Sequence, residues 1–198
     1  MKAVGIMGGT FDPIHLGHLI TAQAVREIRS LNKIIFIPAF ISPFKTSNKI
    51  LDSTHRLKMI KLAVEGIPFF DFSDVELKRK NISFTIDTLK ELKRTYNKIE
   101  LIIGFDNIID FNKWKEPDEI LKIAKVVVLK REASIEPKEK DKYYNSAVFV
   151  NTPVIEVSSS EIRKRVSDNL PINFLVPDKI KKYIYKNNLY KEKVTWKY

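Results

Sequence analysis

The chain has no cysteine among its 198 residues, which excludes disulfides, thiolate zinc sites and a cysteine nucleophile. No apolar run is long enough to cross a bilayer. The N-terminus offers one lysine and a short, glycine-interrupted apolar stretch instead of a signal-peptide core, so a cytoplasmic protein without membrane attachment is expected. Histidine is scarce, with three in all, and no low-complexity linker or internal repeat is present. What remains is a globular composition, 44% hydrophobic and 30% charged, with a length that supports one domain and a sizeable core. We expect a single domain over 1–198, with a helical C-terminal portion from about 158 to 198.

Acidic residues are outnumbered, 24 against 35 basic, for a net charge of +11. Such a balance favours anionic partners, either nucleic acid or phosphorylated small molecules. Residues 176–198 hold seven lysines against Asp178 and Glu192, so the excess is concentrated at the C-terminal end. No RNP-like sequence, Cys/His finger or Gly-x-x-Gly clamp accompanies it, and nucleic acid is not the expected ligand.

Two of the three histidines fall in one four-residue stretch, within Gly8-Gly9-Thr10-Phe11-Asp12-Pro13-Ile14-His15-Leu16-Gly17-His18. The preceding Ala3–Met7 reads as a strand and the following Leu19–Ile28 as an amphipathic helix. Glycines in a strand-to-helix turn let the backbone approach a ligand. The helix start supplies unpaired N–H groups and a positive dipole end, so an anion is favoured there. His15 and His18 can face that anion together.

Beyond this unit, apolar and amphipathic runs alternate as in a Rossmann-like, doubly wound parallel α/β sheet with helices on both faces. Strands are expected at 33–37, 69–76, 99–103, 125–129, 147–150 and 154–157. Helices are expected at 53–65 behind a Ser53 cap, 86–96, 119–124, 158–165 and 177–188, and a polar loop at 132–145. Ligands of such sheets bind at the carboxyl ends of the strands. Four such ends carry unusual chemistry: 8–18, 38–45, 104–106 and 158–163.

The stretch Gly9–His18 resembles the HxGH signature of the nucleotidyltransferase superfamily, and Val157-Ser158-Ser159-Ser160-Glu161-Ile162-Arg163 is similar to that family's Ile-Ser-Ser/Ala-Thr-x-x-Arg element. The bottom-up reading of the second stretch is a capped helix start whose hydroxyls and Arg163 either meet phosphate or face solvent. Further stretches resemble the nicotinate-mononucleotide adenylyltransferase branch: Glu76-Leu77-Lys78-Arg79 followed by Ser83–Leu89, Ile102–Asp106, and Phe111-Asn112-Lys113-Trp114. Leu170–Tyr190 resembles its C-terminal helix. The similarity runs in order over nearly the whole chain.

That resemblance implies adenylyl transfer from ATP to nicotinate mononucleotide, with Mg²⁺ carried mainly by the ATP phosphates and no metal-ligating residue. It assigns His18, His15, Lys45 and Arg163 to catalysis. It assigns Gly8, Gly9, Thr10, Phe11, His15, His18, Gly104, Asp106, Ser158, Ser160 and Arg163 to ATP, and Thr85, Asp106 and Trp114 to the acceptor. The stretch Pro38–Lys45 departs from the branch's P-N-x-x-P-P-H-K pattern, with Ala39, Ser42 and Phe44 at the changed positions, and Phe84 stands where the branch has Tyr. Two other readings stay open: a sister transferase acting on phosphopantetheine or a flavin or nicotinamide nucleotide, and a basic nucleic-acid-binding protein on an inactive scaffold. The sequence leaves acid-versus-amide preference and homo-oligomer formation undecided.

Overall fold

A computed structural model describes residues 3–43, 50–130 and 139–191. Six parallel strands form one sheet in the order β3-β2-β1-β4-β5-β6. The strands are β1 Val4–Gly9, β2 Ile34–Pro38, β3 Phe70–Phe72, β4 Ile99–Gly104, β5 Ala124–Lys130 and β6 Val148–Asn151. The order reverses between β1 and β4, and that switch point is where an open α/β sheet leaves a crevice for ligands.

Side chains alternate along each strand, so one sheet feeds two cores. On one face Met7, Ile34, Phe36, Ile102 and Val127 meet helices α1 (Leu16–Ile28), α2 (Ser53–Val64), α8 (Ser159–Ser167) and α9 (Asp178–Lys186). On the other, Val4, Ile6, Ile35, Ile37, Leu101, Ile103 and Val126 lie beneath α4 (Thr85–Leu92), α5 (Phe105–Ile109) and α6 (Pro117–Ile123). Burial on both faces explains why the strands read as continuous apolar runs. At Gly5 the central strand carries no side chain because its neighbours use the space. A Cβ there would lie 2.5 Å from Ile34 Cδ1, 2.8 Å from Ile102 Cδ1 and 2.9 Å from Leu31 Cδ1.

Several elements differ from the sequence expectation. The expected strand 69–76 is cut to Phe70–Phe72, and α3 follows at Val75–Arg79. Asp74 opens that helix, its carbonyl accepting from Lys78 N–H and its carboxylate pairing with the Lys78 ammonium at 2.9 Å. The expected strand 154–157 is absent. Val154 and Ile155 are exposed beyond β6, the edge strand of the sheet among the described residues. Within the expected polar loop, α7 forms at Lys142–Ser146, capped by Asp141 and fixed by burial of Tyr143 and Tyr144. Asp52, not Ser53, caps α2. The helix expected to reach Tyr96 ends at Leu92. Helix α1 starts at Leu16, three residues early, which puts His18 in its first turn and makes His15 its N-cap.

Among the described residues no helix is long and apolar enough to cross a membrane.

Filling the slot at Gly5 tests the two-core description. Gly5→Val forces at least three methyl groups out of a close-packed interior and should lower stability by about 1–3 kcal/mol, read as a fall in Tm on thermal denaturation. An unchanged Tm would show that the space is not occupied as described.

Candidate active site at the switch point

The carboxyl end of β1 is nearly bare. Gly8 is exposed, and a Cβ built on it would meet nothing within 4 Å, so open space lies over the strand end. Gly9 is packed instead, with the Phe11 ring 3.0 Å from the Cβ position, and its carbonyl accepts from Ala39 N–H at 2.9 Å. The Phe11 ring is buried, edge-on to both His18 and Phe36, so toward a ligand this residue presents main chain. Phe11 takes a left-handed φ of 49°, and the peptide between Asp12 and Pro13 is cis, which turns the chain sharply into α1.

Arg56 fastens this turn from below. Its guanidinium is buried and donates to three backbone carbonyls: Leu51 at 2.9 Å, Thr10 at 2.8 Å and Ala39 at 2.8 Å. Burial lowers its pKa from the ordinary arginine value, while Asp12 and Asp52 oppose that shift. Asp12 is buried too. Its carboxylate accepts from the Tyr190 hydroxyl at 2.7 Å and from Leu51 N–H at 3.3 Å.

The two imidazoles lie 3.7 Å apart, centroid to centroid, with planes tilted 32°. His15 N–H donates to His18 Nδ1 at 3.3 Å. His18 therefore uses Nδ1 as an acceptor, and Nε2 is left as its donor edge. His15 is buried, and desolvation pulls its pKa down to about 4, so the ring is neutral near pH 7. Its Nδ1 is buried without a hydrogen-bond partner among the described residues. Gly17 leaves room for the ring, since a Cβ there would lie 3.1 Å from His15 Nδ1.

Helix α8 docks against the same turn. Ser158 caps it by accepting from Glu161 N–H at 3.1 Å, and Ser159 Oγ donates to the Pro13 carbonyl at 2.9 Å. Arg163 Nη1 donates to the Asp12 carbonyl at 2.8 Å, and Nη2 to Ser160 Oγ at 3.3 Å. Two of its five N–H groups are thus engaged, and a third of its side chain faces solvent. The structure brings together Gly8, Gly9, Thr10, His15, His18, Ser158, Ser160 and Arg163 around one turn. Gly104 ends the neighbouring strand β4, and the exposed Asp106 sits in the first turn of α5.

Thr85 and Trp114 occupy a second region joined by Lys115. The Lys115 ammonium lies 4.8 Å from the Phe84 ring centroid and 3.2 Å from the Asp87 carboxylate. Trp114 stacks on Phe111 at 4.9 Å with planes at 28°. Behind Thr85, a buried polar cluster locks the segment. The Thr88 hydroxyl donates to Glu76 at 2.7 Å and accepts from Arg79 at 3.3 Å. Burial raises the Glu76 pKa, with the Thr88 and Ser83 hydrogen bonds opposing. Ser83 Oγ also accepts from Phe40 N–H at 2.9 Å, so this cluster fixes the start of the loop after β2. Lys45 and Phe44 lie outside the described residues.

Sequence reasoning missed Asp12, Arg56 and Tyr190. Asp12 sits inside the motif but has no distinctive neighbour. Arg56 is one basic residue on a helix that reads as amphipathic. Tyr190 comes 178 residues after its partner. Only Asp12, as a charge among apolar and glycine residues, carried a local signal.

The neutral, buried His15 generates a stability prediction. Its folded pKa is about 4 against 6.5 when unfolded, so between those values the unfolded chain binds the extra proton. The contribution is full above pH 6.5 and is lost as pH falls toward 4, by up to about 3 kcal/mol. Urea denaturation at pH 7, 5.5 and 4 should show wild type losing more stability than His15→Gln across that window. Equal losses would mean that another group controls acid sensitivity.

Known proteins resemble the chain in sequence and in fold. The cytidylyltransferase-like family model covers residues 6–165, from inside β1 to inside α8. A nicotinate-nucleotide adenylyltransferase of Thermoanaerobacter is 40% identical over 200 residues, covering 96% of this chain and 94% of the relative. One from Caldicellulosiruptor bescii is 40% identical over 194 residues, covering 95% and 98%. In fold, the chain superimposes on the nicotinic acid mononucleotide adenylyltransferase of Plasmodium falciparum complexed with NaAD. The TM-score is 0.76 at 22% identity, with 96% and 98% of the two chains covered. The family model spans most of the chain and the relatives match it over nearly their full length, so this protein belongs to the cytidylyltransferase-like family, among the nicotinate-nucleotide adenylyltransferases.

Proposed function

We propose that the protein transfers AMP from ATP to nicotinate mononucleotide, forming deamido-NAD and releasing pyrophosphate. The observation that carries the chemistry is the docking of α8 on the β1–α1 turn. Supporting this reading, Ser159 and Arg163 of α8 bond the Pro13 and Asp12 carbonyls of the turn that carries His15 and His18, and a Cβ on Gly8 at the end of β1 would meet nothing within 4 Å. The 40% identity to nicotinate-nucleotide adenylyltransferases supports the choice of acceptor.

The acceptor phosphate attacks the α-phosphorus of ATP in line. One oxygen–phosphorus bond forms, the α–β bridge breaks, and pyrophosphate departs with that bond's electron pair. A phosphate monoester is largely ionised near neutral pH, with a second pKa of about 6, so no side-chain nucleophile or strong base is needed. The protein aligns two anions and stabilises added charge. His18 donates from Nε2 to the α-phosphate. His15, neutral, contributes a dipole and a hydrogen bond to the neighbouring phosphates. Arg163 and Lys45 hold the leaving pyrophosphate, and the hydroxyls of Ser158 and Ser160 donate to phosphate oxygens. Gly8, Gly9, Thr10 and Phe11 line the nucleotide with main chain, Gly104 lets it approach β4, and Asp106 receives ribose hydroxyls. Trp114 and Thr85 hold the nicotinate.

ATP enters as its Mg²⁺ complex. Magnesium keeps several waters and takes phosphate oxygens readily, so the nucleotide itself would carry it. A cytoplasmic location fits a reaction that draws on ATP and nicotinate mononucleotide.

Two substitutions test the assignment in a pyrophosphate-release assay with Mg–ATP and nicotinate mononucleotide. His18→Ala should fold and lose roughly 10²–10³ in kcat, the scale for one transition-state donor. A near-normal kcat would remove His18 from the mechanism. Trp114→Ala should chiefly raise KM for the mononucleotide, and an effect confined to KM for ATP would misplace the ring. Parallel assays with the amide, phosphopantetheine and FMN identify the acceptor directly.

A further inference from the structure

Tyr190 reaches back from beyond the last helix to the turn that opens the fold. Its hydroxyl donates to Asp12 Oδ1 at 2.7 Å, and the other carboxylate oxygen accepts from Leu51 N–H at 3.3 Å. Arg163 stands beside this carboxylate without closing on it. Its Nη1 donates to the Asp12 main-chain carbonyl at 2.8 Å but is 4.0 Å from Oδ2. Arg56, the other cation nearby, is committed to three backbone carbonyls.

A buried carboxylate that loses a hydrogen-bond donor recruits the nearest replacement, because leaving it unpaired is costly. Arg163 is the nearest candidate, partly exposed and 4.0 Å from Oδ2. A full ion pair with Asp12 would spend on that carboxylate the N–H groups that Arg163 otherwise offers to phosphate.

We propose that Tyr190 is a positioning residue: by satisfying Asp12 it keeps that carboxylate from capturing Arg163, and so holds Arg163 available for the phosphates of ATP. The idea rests on the adenylyl-transfer reading above. It assigns the C-terminal segment a role in ATP affinity and none in acceptor recognition. Burial, followed by the charge of Asp12, holds the phenol pKa well above its ordinary value, so the hydroxyl remains a donor at any working pH.

The test uses the full chain, with affinity for a non-hydrolysable ATP analogue measured by calorimetry alongside steady-state kinetics. Tyr190→Phe should weaken analogue binding and raise KM for ATP about tenfold, the scale of one charge-assisted hydrogen bond, with KM for nicotinate mononucleotide within about twofold of wild type. Asp12→Asn removes the charge that would capture Arg163. Asp12→Asn and the Asp12→Asn/Tyr190→Phe double variant should therefore bind the analogue within about twofold of each other. A tyrosine that merely supports the fold would weaken binding equally in both backgrounds, and that result overturns the proposal. So does unchanged analogue affinity in Tyr190→Phe. If Tyr190→Phe does not fold, a difference above about twofold between Asp12→Asn and the double variant still overturns the proposal. Wild type that binds the analogue but makes no product overturns the adenylyl-transfer reading, and the binding cycle still judges the role of Tyr190.

Discussion

A single guanidinium holds the site in shape. Arg56, itself buried, gathers the carbonyls of Thr10 from the turn after β1 and of Ala39 and Leu51 from the two ends of the connection between β2 and α2. Each of those carbonyls would otherwise be an acceptor turned inward without a partner. A lysine could not span them, because a point donor lacks the planar fork. Thr10 after β1, Ala39 after β2 and Leu51 before α2 are therefore tied to one point. Everything proposed for the phosphates depends on that point staying still.

Around it the polar groups form a hierarchy. Arg56 fixes backbone, Asp12 ties the turn to the C-terminal segment, and α8 joins from the side through Ser159 and Arg163. A parallel arrangement serves the Thr85 region, where Glu76, Thr88, Arg79 and Ser83 interlock beneath the first turn of α4. The stretches whose spacing matched a family pattern thus divide into two kinds. Some face open space, and others, such as Glu76 and Thr88, are spent on holding the first kind in place.

Much of this was legible in the sequence because its signals are local. Strand runs buried on two faces, a glycine pair followed by two histidines and a serine-capped basic helix each declare themselves within ten residues. Failures came where tertiary context decides. Val154–Val157 has strand composition, yet among the described residues the sheet ends at β6 and this segment pairs with no strand. Lys142–Ser146 sits in a charged stretch, yet two tyrosines find a core and pull a helical turn with them. Asp12 to Tyr190 could not be read from spacing, since the partners meet only after the whole sheet has been wound.

The glycines of β1 separate two kinds of constraint on one strand. Gly5 is enclosed by the chain's own methyl groups, whereas Gly8 looks onto emptiness. A library randomised at both positions and sorted first for folded protein, then for turnover, would return the same answer twice at residue 5. At residue 8 the two sorts would disagree, because bulk there offends only the visitor.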